Sequence, residues 1–129
     1  MKVLNFEDSV YKANAIRKVL NQCGVAKIEL VSNVEDGLQM LKNAEDTGDP
    51  FDLIITDMHY PMKQGAVSDT EAGEKLVQLL QEQGKQTKVI VCSSRNMKLP
   101  GVYGCIRYSE ISDWEEELCD LVREMEKNR

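Results

Sequence analysis

Four apolar runs in this chain each end in residues that can do chemistry. Lys2–Phe6 is followed by Glu7 and Asp8, Phe51–Thr56 by Asp57, Lys88–Cys92 by Ser93 and Ser94, and Val102–Arg107 by Tyr108 and Ser109. If those runs are parallel strands, their carboxyl ends share one sheet edge, and open α/β sheets bind ligands at that edge. Three carboxylates gathered there repel, and at least one pKa rises unless a cation compensates. Hard divalent ions such as magnesium take oxygen ligands, commonly one or two carboxylates with waters and a phosphate. A carboxylate beside such an ion can attack phosphorus and form an aspartyl-phosphate, with the metal neutralising charge on the transferring group. Ser93 would then hydrogen-bond the phosphoryl oxygens. Each residue also has a plainer reading. Asp8 could cap a helix, Asp57 could be an ordinary loop acid, Ser93 a turn residue and His59 an exposed loop histidine. The combination is more specific than any member.

The elements that must position these groups follow from the pattern between them. Ser9 can cap a helix that presents Ala13, Ile16, Leu20 and Cys23 on one face and stops at Gly24. Ala26–Val31 alternates like a half-exposed edge strand. Ser32 and Glu35 have capping-box spacing ahead of a helix burying Val34, Leu38, Leu41 and Ala44. Phe51–Thr56 is continuously apolar, as a central strand is. A long polar loop runs from Asp57 to Asp69. A second capping box at Ser68 and Glu71 precedes a helix with Leu76, Val77 and Leu80 inside. A third, at Ser112 and Glu115, precedes a helix carrying Trp114, Leu118, Leu121, Val122 and Met125. Between the last two strands only Ser93 to Gly101 remain, ending in Pro100-Gly101. A crossover between parallel strands usually takes a dozen or more residues with a helix, so five strands but only four full helices are expected.

Composition bounds the rest. At 129 residues the chain has the length of one domain, expected to span 1–129 with no output domain, and 42% hydrophobic with 29% charged residues fits a globular protein rather than a disordered one. A net charge of −6 argues against nucleic acid or an anionic membrane surface as partner. No apolar run approaches the roughly 18 residues of a membrane span, and Glu7-Asp8 interrupt the N-terminal run too early for a signal peptide. Cytoplasmic localisation is expected. Cys23, Cys92, Cys105 and Cys119 form no C-x-x-C pair and His59 has no ligand spacing, so all four are read as buried reduced thiols.

Taken together, these residues resemble the response-regulator receiver domains of two-component signalling. The resemblance covers essentially the whole chain. It rests on Val3-Leu4-Asn5-Phe6-Glu7-Asp8, on Leu53-Ile54-Ile55-Thr56-Asp57-Met58-His59-Tyr60-Pro61 and on Val89-Ile90-Val91-Cys92-Ser93-Ser94. It implies a flavodoxin-like three-layer α/β sandwich with parallel strand order 2-1-3-4-5. By that resemblance Asp57 is the phosphoacceptor and Glu7, Asp8 and Asp57 hold magnesium. The backbone carbonyl of His59 completes the metal shell, and Ser93 contacts the phosphoryl group and repositions on activation. The implied partners are a histidine kinase or phosphotransfer protein and a downstream protein, reached by a population shift between two conformations.

Three features depart from the family. Tyr108 stands where the family has a lysine at the end of the last strand, and tyrosine supplies no positive charge at neutral pH. Arg95, Lys98 and Arg107 are the cations considered in its place. The crossover after Ser93 is short, and the segment from Met62 to Ala72 is long and adjacent to Asp57. The leading expectation is a stand-alone receiver, not an enzyme, phosphorylated on Asp57 with magnesium. The alternative is a degenerate receiver that binds partners without phosphorylation. An aspartyl-nucleophile phosphatase is disfavoured because His59 stands where those enzymes carry an acid two residues after the nucleophile. A flavin protein is disfavoured because no Ser/Thr/Gly-rich phosphate loop follows the first strand.

Overall fold

A computed structural model describes residues 1–128 of the chain. The elements run β1 (Lys2–Phe6), α1 (Val10–Gln22), β2 (Lys27–Val31), α2 (Val34–Asp46), β3 (Leu53–Thr56), a short hairpin of β4 (Tyr60–Pro61) and β5 (Ser68–Asp69), α3 (Ala72–Glu82), β6 (Lys88–Ser93), β7 (Gly104–Arg107) and α4 (Trp114–Lys127). The main sheet is parallel throughout, in the order β2-β1-β3-β6-β7. Setting the hairpin aside, this is the expected 2-1-3-4-5 arrangement.

Side chains that alternate along a strand go to opposite faces, and the core divides accordingly. Val3, Leu53, Ile55, Ile90, Cys92 and Ile106 face a layer made by α1 and α4, where Ile16, Leu20, Leu118 and Val122 meet them. Leu4, Phe6, Ile54 and Val89 face the other layer, made by α2 and α3, with Leu41, Leu76 and Leu80. All four β3 side chains are buried, as its unbroken apolar run requires of a central strand.

Two glycines set the closeness of the α2–α3 layer. A Cβ on Gly37 would overlap the Phe6 ring, and one on Gly73 would overlap the backbone carbonyl of Asp57. The start of α3 therefore rests directly on the peptide that carries Asp57. No helix lies between β6 and β7 among the described residues; the chain crosses as bends and a turn through Gly101, whose φ is +82°. The expected loss of that helix is observed.

Several local expectations are corrected. The cap of α2 is Asn33, whose Oδ1 accepts from the Asp36 N–H at 2.8 Å while its Nδ2 donates to the Asp36 carboxylate. The pair Ser32/Glu35 has the same spacing one residue earlier, but Asn33 occupies the cap position. Ser68 lies in β5, so α3 starts at Glu71 without a side-chain cap. Ser112 turns back to donate to the carbonyls of Arg107 and Ser109, leaving Asp113 to begin α4. The loop after Asp57 contains the β4–β5 hairpin rather than being wholly irregular. Finally, Cys23 and Cys119 are joined in a disulfide between the end of α1 and the middle of α4, their Cα atoms 5.7 Å apart. Only Cys92 and Cys105 are free thiols. Pairing across 96 residues depends on the packing of α1 against α4, which cysteine spacing does not report.

Candidate functional site

Asp57 follows β3 at the carboxyl edge of the sheet. Its N–H donates to the Phe6 carbonyl at 3.1 Å, which carries the strand pairing one residue past β3. Its Oδ1 accepts from the Met58 N–H at 2.7 Å. The carbonyl of Asp57 is fixed from below. Thr56 Oγ1 donates to it at 2.7 Å and also lies 2.7 Å from the Tyr60 hydroxyl. A threonine hydroxyl has one proton, so Tyr60 must be the donor to Thr56. Tyr60 is fully buried, and burial raises its phenol pKa, which keeps that proton in place.

Glu7 and Asp8 extend from β1 beside it. Glu7 is 2% exposed, and its Oε2 accepts from the Ser9 N–H at 3.1 Å. Asp8 is exposed. The cap of α1 is Ser9, which accepts from the Lys12 N–H, so Asp8 is not needed for that role. One oxygen from each of Glu7, Asp8 and Asp57 can be chosen so that all three lie within 4.8 Å of one another. Asp8, Asp57, His59, Ser93, Ser94 and Arg95 share the lining of a cleft of about 410 Å³ with Ser68 and Thr70. Four distant segments have converged as the strand ends required. Ser93 is buried and its Oγ accepts from the Arg95 N–H at 3.2 Å. The Arg95 guanidinium donates to the Thr70 carbonyl, pinning the β6–β7 crossover against the segment that leads into α3. A larger hollow of about 570 Å³ between α2 and α3 is remote from these groups.

Tyr108 is not in the cleft lining. Its ring packs on Trp114, centroids 4.9 Å apart, and covers a residue absent from the sequence reading of the site, Lys12. Lys12 is on the first turns of α1, with its side chain only 10% exposed. Its Nζ donates to the Cys92 carbonyl at 2.6 Å and lies 3.0 Å from Glu7 Oε1 and 3.3 Å from Asp57 Oδ1. The Tyr108 ring centroid is 5.2 Å away. An ammonium has three donor protons, and three oxygens surround this one. Of the cations considered from the sequence, Arg95 reaches the cleft, while Lys98 and Arg107 are exposed and do not line it. The missed signal was phase: Lys12 is four residues before Ile16, on the buried face of α1.

The electrostatics favour a further cation. A unit pair near 3 Å attracts by about 5 kcal/mol at an effective dielectric of about 20, against a desolvation cost of several kcal/mol per buried ion. Burial raises the Glu7 pKa; Lys12 opposes that rise and Asp57 adds to it. Burial acts to lower the Lys12 pKa, but Asp57 and Glu7 outweigh it and the net shift is upward. Glu7 thus holds its proton more tightly chiefly through burial, and Lys12 through the two carboxylates beside it. Oxygens bound to one magnesium at about 2.1 Å can be at most about 4.2 Å apart. The three acids are therefore close to a ligand set, needing a small adjustment or a bridging water. The buried Glu7 Oε1 accepts no hydrogen bond of good geometry despite its charge contact with Lys12. The donor set fits a hard divalent ion.

No protein-family model and no curated protein matches the chain. Solved structures do. The N-terminal domain of a response regulator/sensory box/GGDEF three-domain protein from Carboxydothermus hydrogenoformans aligns over 99% of this chain and 98% of its own, with TM-score 0.69 and 22% identity. The chemotaxis protein CheY4 of Vibrio cholerae aligns over 95% of this chain and 96% of its own, with TM-score 0.67 and 21% identity. The receiver domain of the histidine kinase CKI1 from Arabidopsis thaliana, solved with Mg2+ and BeF3−, aligns over 98% of this chain and 89% of its own, with TM-score 0.63 and 18% identity. The fold is that of response-regulator receiver domains, as the sequence resemblance implied. Among the described residues no helix is long and apolar enough to cross a membrane.

Proposed function

We propose that this chain is a signalling receiver that accepts a phosphoryl group on Asp57. The observation that carries the reading is the meeting of the Glu7, Asp8 and Asp57 carboxylates at one sheet edge, with Ser93 lining the cleft that Asp57 opens onto. The receiver fold supports it, as does a fold neighbour solved with Mg2+ and BeF3−.

In the proposed step a carboxylate oxygen of Asp57 attacks the phosphorus of a phosphodonor. An O–P bond forms, the bond from phosphorus to the donor atom breaks, and the leaving group takes the electron pair. Asp57 goes from a monoanion to an acyl phosphate, so negative charge at the site grows. Glu7, Asp8 and Asp57, with the His59 carbonyl by resemblance, would hold magnesium. The bound ion would offset the phosphoryl charge. Ser93 would donate its hydroxyl proton to a phosphoryl oxygen, which leaves its lone pairs free to keep accepting from the Arg95 N–H. Lys12 directs the acceptor carboxylate through its contact with Oδ1. The partners we propose are a phosphohistidine donor and a downstream protein, and the chain acts as an acceptor rather than a turnover enzyme.

The test is incubation with magnesium and acetyl phosphate, read by intact-mass spectrometry. One added phosphoryl group, absent in Asp57→Asn and absent with a chelator, is expected. A parent protein that stays unmodified with acetyl phosphate and with phosphohistidine donors, while folded, would sink the reading.

A further inference from the structure

We infer that Lys12 is the cation that stabilises the phosphoryl group on Asp57, supplied from the first helix in place of a lysine at the end of the last strand. The inference rests on the phosphoacceptor reading and assigns a residue to it that the sequence resemblance does not contain. Three observations carry it.

The first is position. Lys12 Nζ is 3.3 Å from Asp57 Oδ1, so it touches the reacting carboxylate and is within reach of an oxygen added to it. The second is confinement. The ammonium is held by the Cys92 carbonyl at 2.6 Å and Glu7 at 3.0 Å, and the Ser9 cap fixes the helix turn that carries it. A charge held this way needs little reorganisation when negative charge develops, which is what makes preorganised electrostatics effective. The third is the exchange at the last strand. Tyr108 brings no charge, but its ring lies 5.2 Å from Lys12 Nζ and is backed by Trp114. A lysine side chain from position 108 and the present Lys12 would compete for the same small space beside Glu7 and Asp57. An aromatic ring there covers the ammonium through a cation–π contact and shields it from water. The charge has moved from strand to helix, and the strand residue has become its cover.

The experiment compares phosphorylation rates of the parent, Lys12→Met, Tyr108→Lys and the double variant, with acetyl phosphate and magnesium, after checking each fold by circular dichroism. Lys12→Met is expected to slow phosphorylation about 100-fold or more, the scale of losing one preorganised charge. The double variant is expected to recover about tenfold or more of that loss, because a lysine at 108 restores the cation; a structural role for Lys12 would not predict rescue from a different element. A parent that is phosphorylated and a Lys12→Met variant equally fast would overturn this inference alone. So would a Lys12→Met variant that binds magnesium more tightly and reacts faster, since Lys12 would then be occupying the ion's place. A parent that takes no phosphate from any donor sinks the phosphoacceptor reading and this inference with it. If Lys12→Met fails to fold, the unmodified protein decides. Its Lys12 side-chain 15N signal is expected to shift on saturation with magnesium and beryllofluoride, and an unmoved signal at saturation overturns the assignment.

Discussion

The two helical layers serve the sheet edge differently. The α2–α3 layer works by contact: Gly37 admits the Phe6 ring, Gly73 admits the Asp57 carbonyl, and Tyr60 and Thr56 hold that carbonyl from beneath. The α1–α4 layer works by charge and covalent restraint: Lys12 enters the acidic cluster, Tyr108 and Trp114 cover it, and the Cys23–Cys119 disulfide ties its helices together. One layer thus sets where the Asp57 backbone lies, and the other sets how much negative charge the site can bear. The two can change separately, so the cation beside the acidic cluster need not come from the strand that leads to Tyr108.

The largest test of this division removes the covalent tie. Reduction, or Cys23→Ser with Cys119→Ser, is expected to cost about 2–4 kcal/mol, since the bond closes a loop of 96 residues. That corresponds to a fall of about 10 °C in Tm for a domain of this size. An unchanged Tm in strong reductant would mean that α1 and α4 are held by packing alone.

A smaller effect is expected in the contact layer. Gly37→Ala puts a methyl into the Phe6 ring and should cost about 1–3 kcal/mol by overpacking. Denaturant melts measure this. Pairing it with Phe6→Leu, which shortens the offending ring, should recover part of the loss, whereas additive losses would show that the ring is not the obstacle.

An effect confined to alkaline pH concerns Cys92, whose thiol pKa burial pushes up to about 12. The folded thiol keeps its proton where an unfolded cysteine ionises, above about pH 8.5. With the folded pKa raised, the contribution is fully present below the unfolded value and is lost as pH rises toward the folded one. Stability should fall by about 1.4 kcal/mol per pH unit from this group between roughly pH 9 and 12. Cys92→Ala should flatten that slope in melts followed from pH 8 to 11, while its overall loss of stability reports the cavity separately. An unaltered slope would assign the alkaline limb to Lys12 and Tyr60, whose pKa values are also raised.

Much of this was legible in the sequence. Period-two and 3.6-residue patterns located the sheet strands and long helices, and the short interval after Ser93 foretold the missing crossover helix, because chain length limits what can fit. Asp57, Asp8 and Ser93 were found because strand ends in a parallel sheet share an edge. Local polar motifs fared worse. Ser32/Glu35 and Asn33/Asp36 offer the same spacing one residue apart, and spacing alone does not choose between them. Lys12 and the disulfide were not read because both depend on helix phase against the sheet and on α1 meeting α4. Lys12 was the recoverable one: a lysine on the apolar face of α1 is a departure that the Ala13, Ile16 and Leu20 pattern exposes.

The stacking of Tyr108 on Trp114 also has a practical consequence. Trp114 is the sole tryptophan in the chain, and one ring separates its indole from the ammonium of Lys12. The molecule thus carries an intrinsic fluorophore wired to its acidic cluster. Cation binding or phosphoryl arrival that shifts Lys12 should alter emission intensity in real time, on unlabelled protein, so occupancy could be titrated in a cuvette.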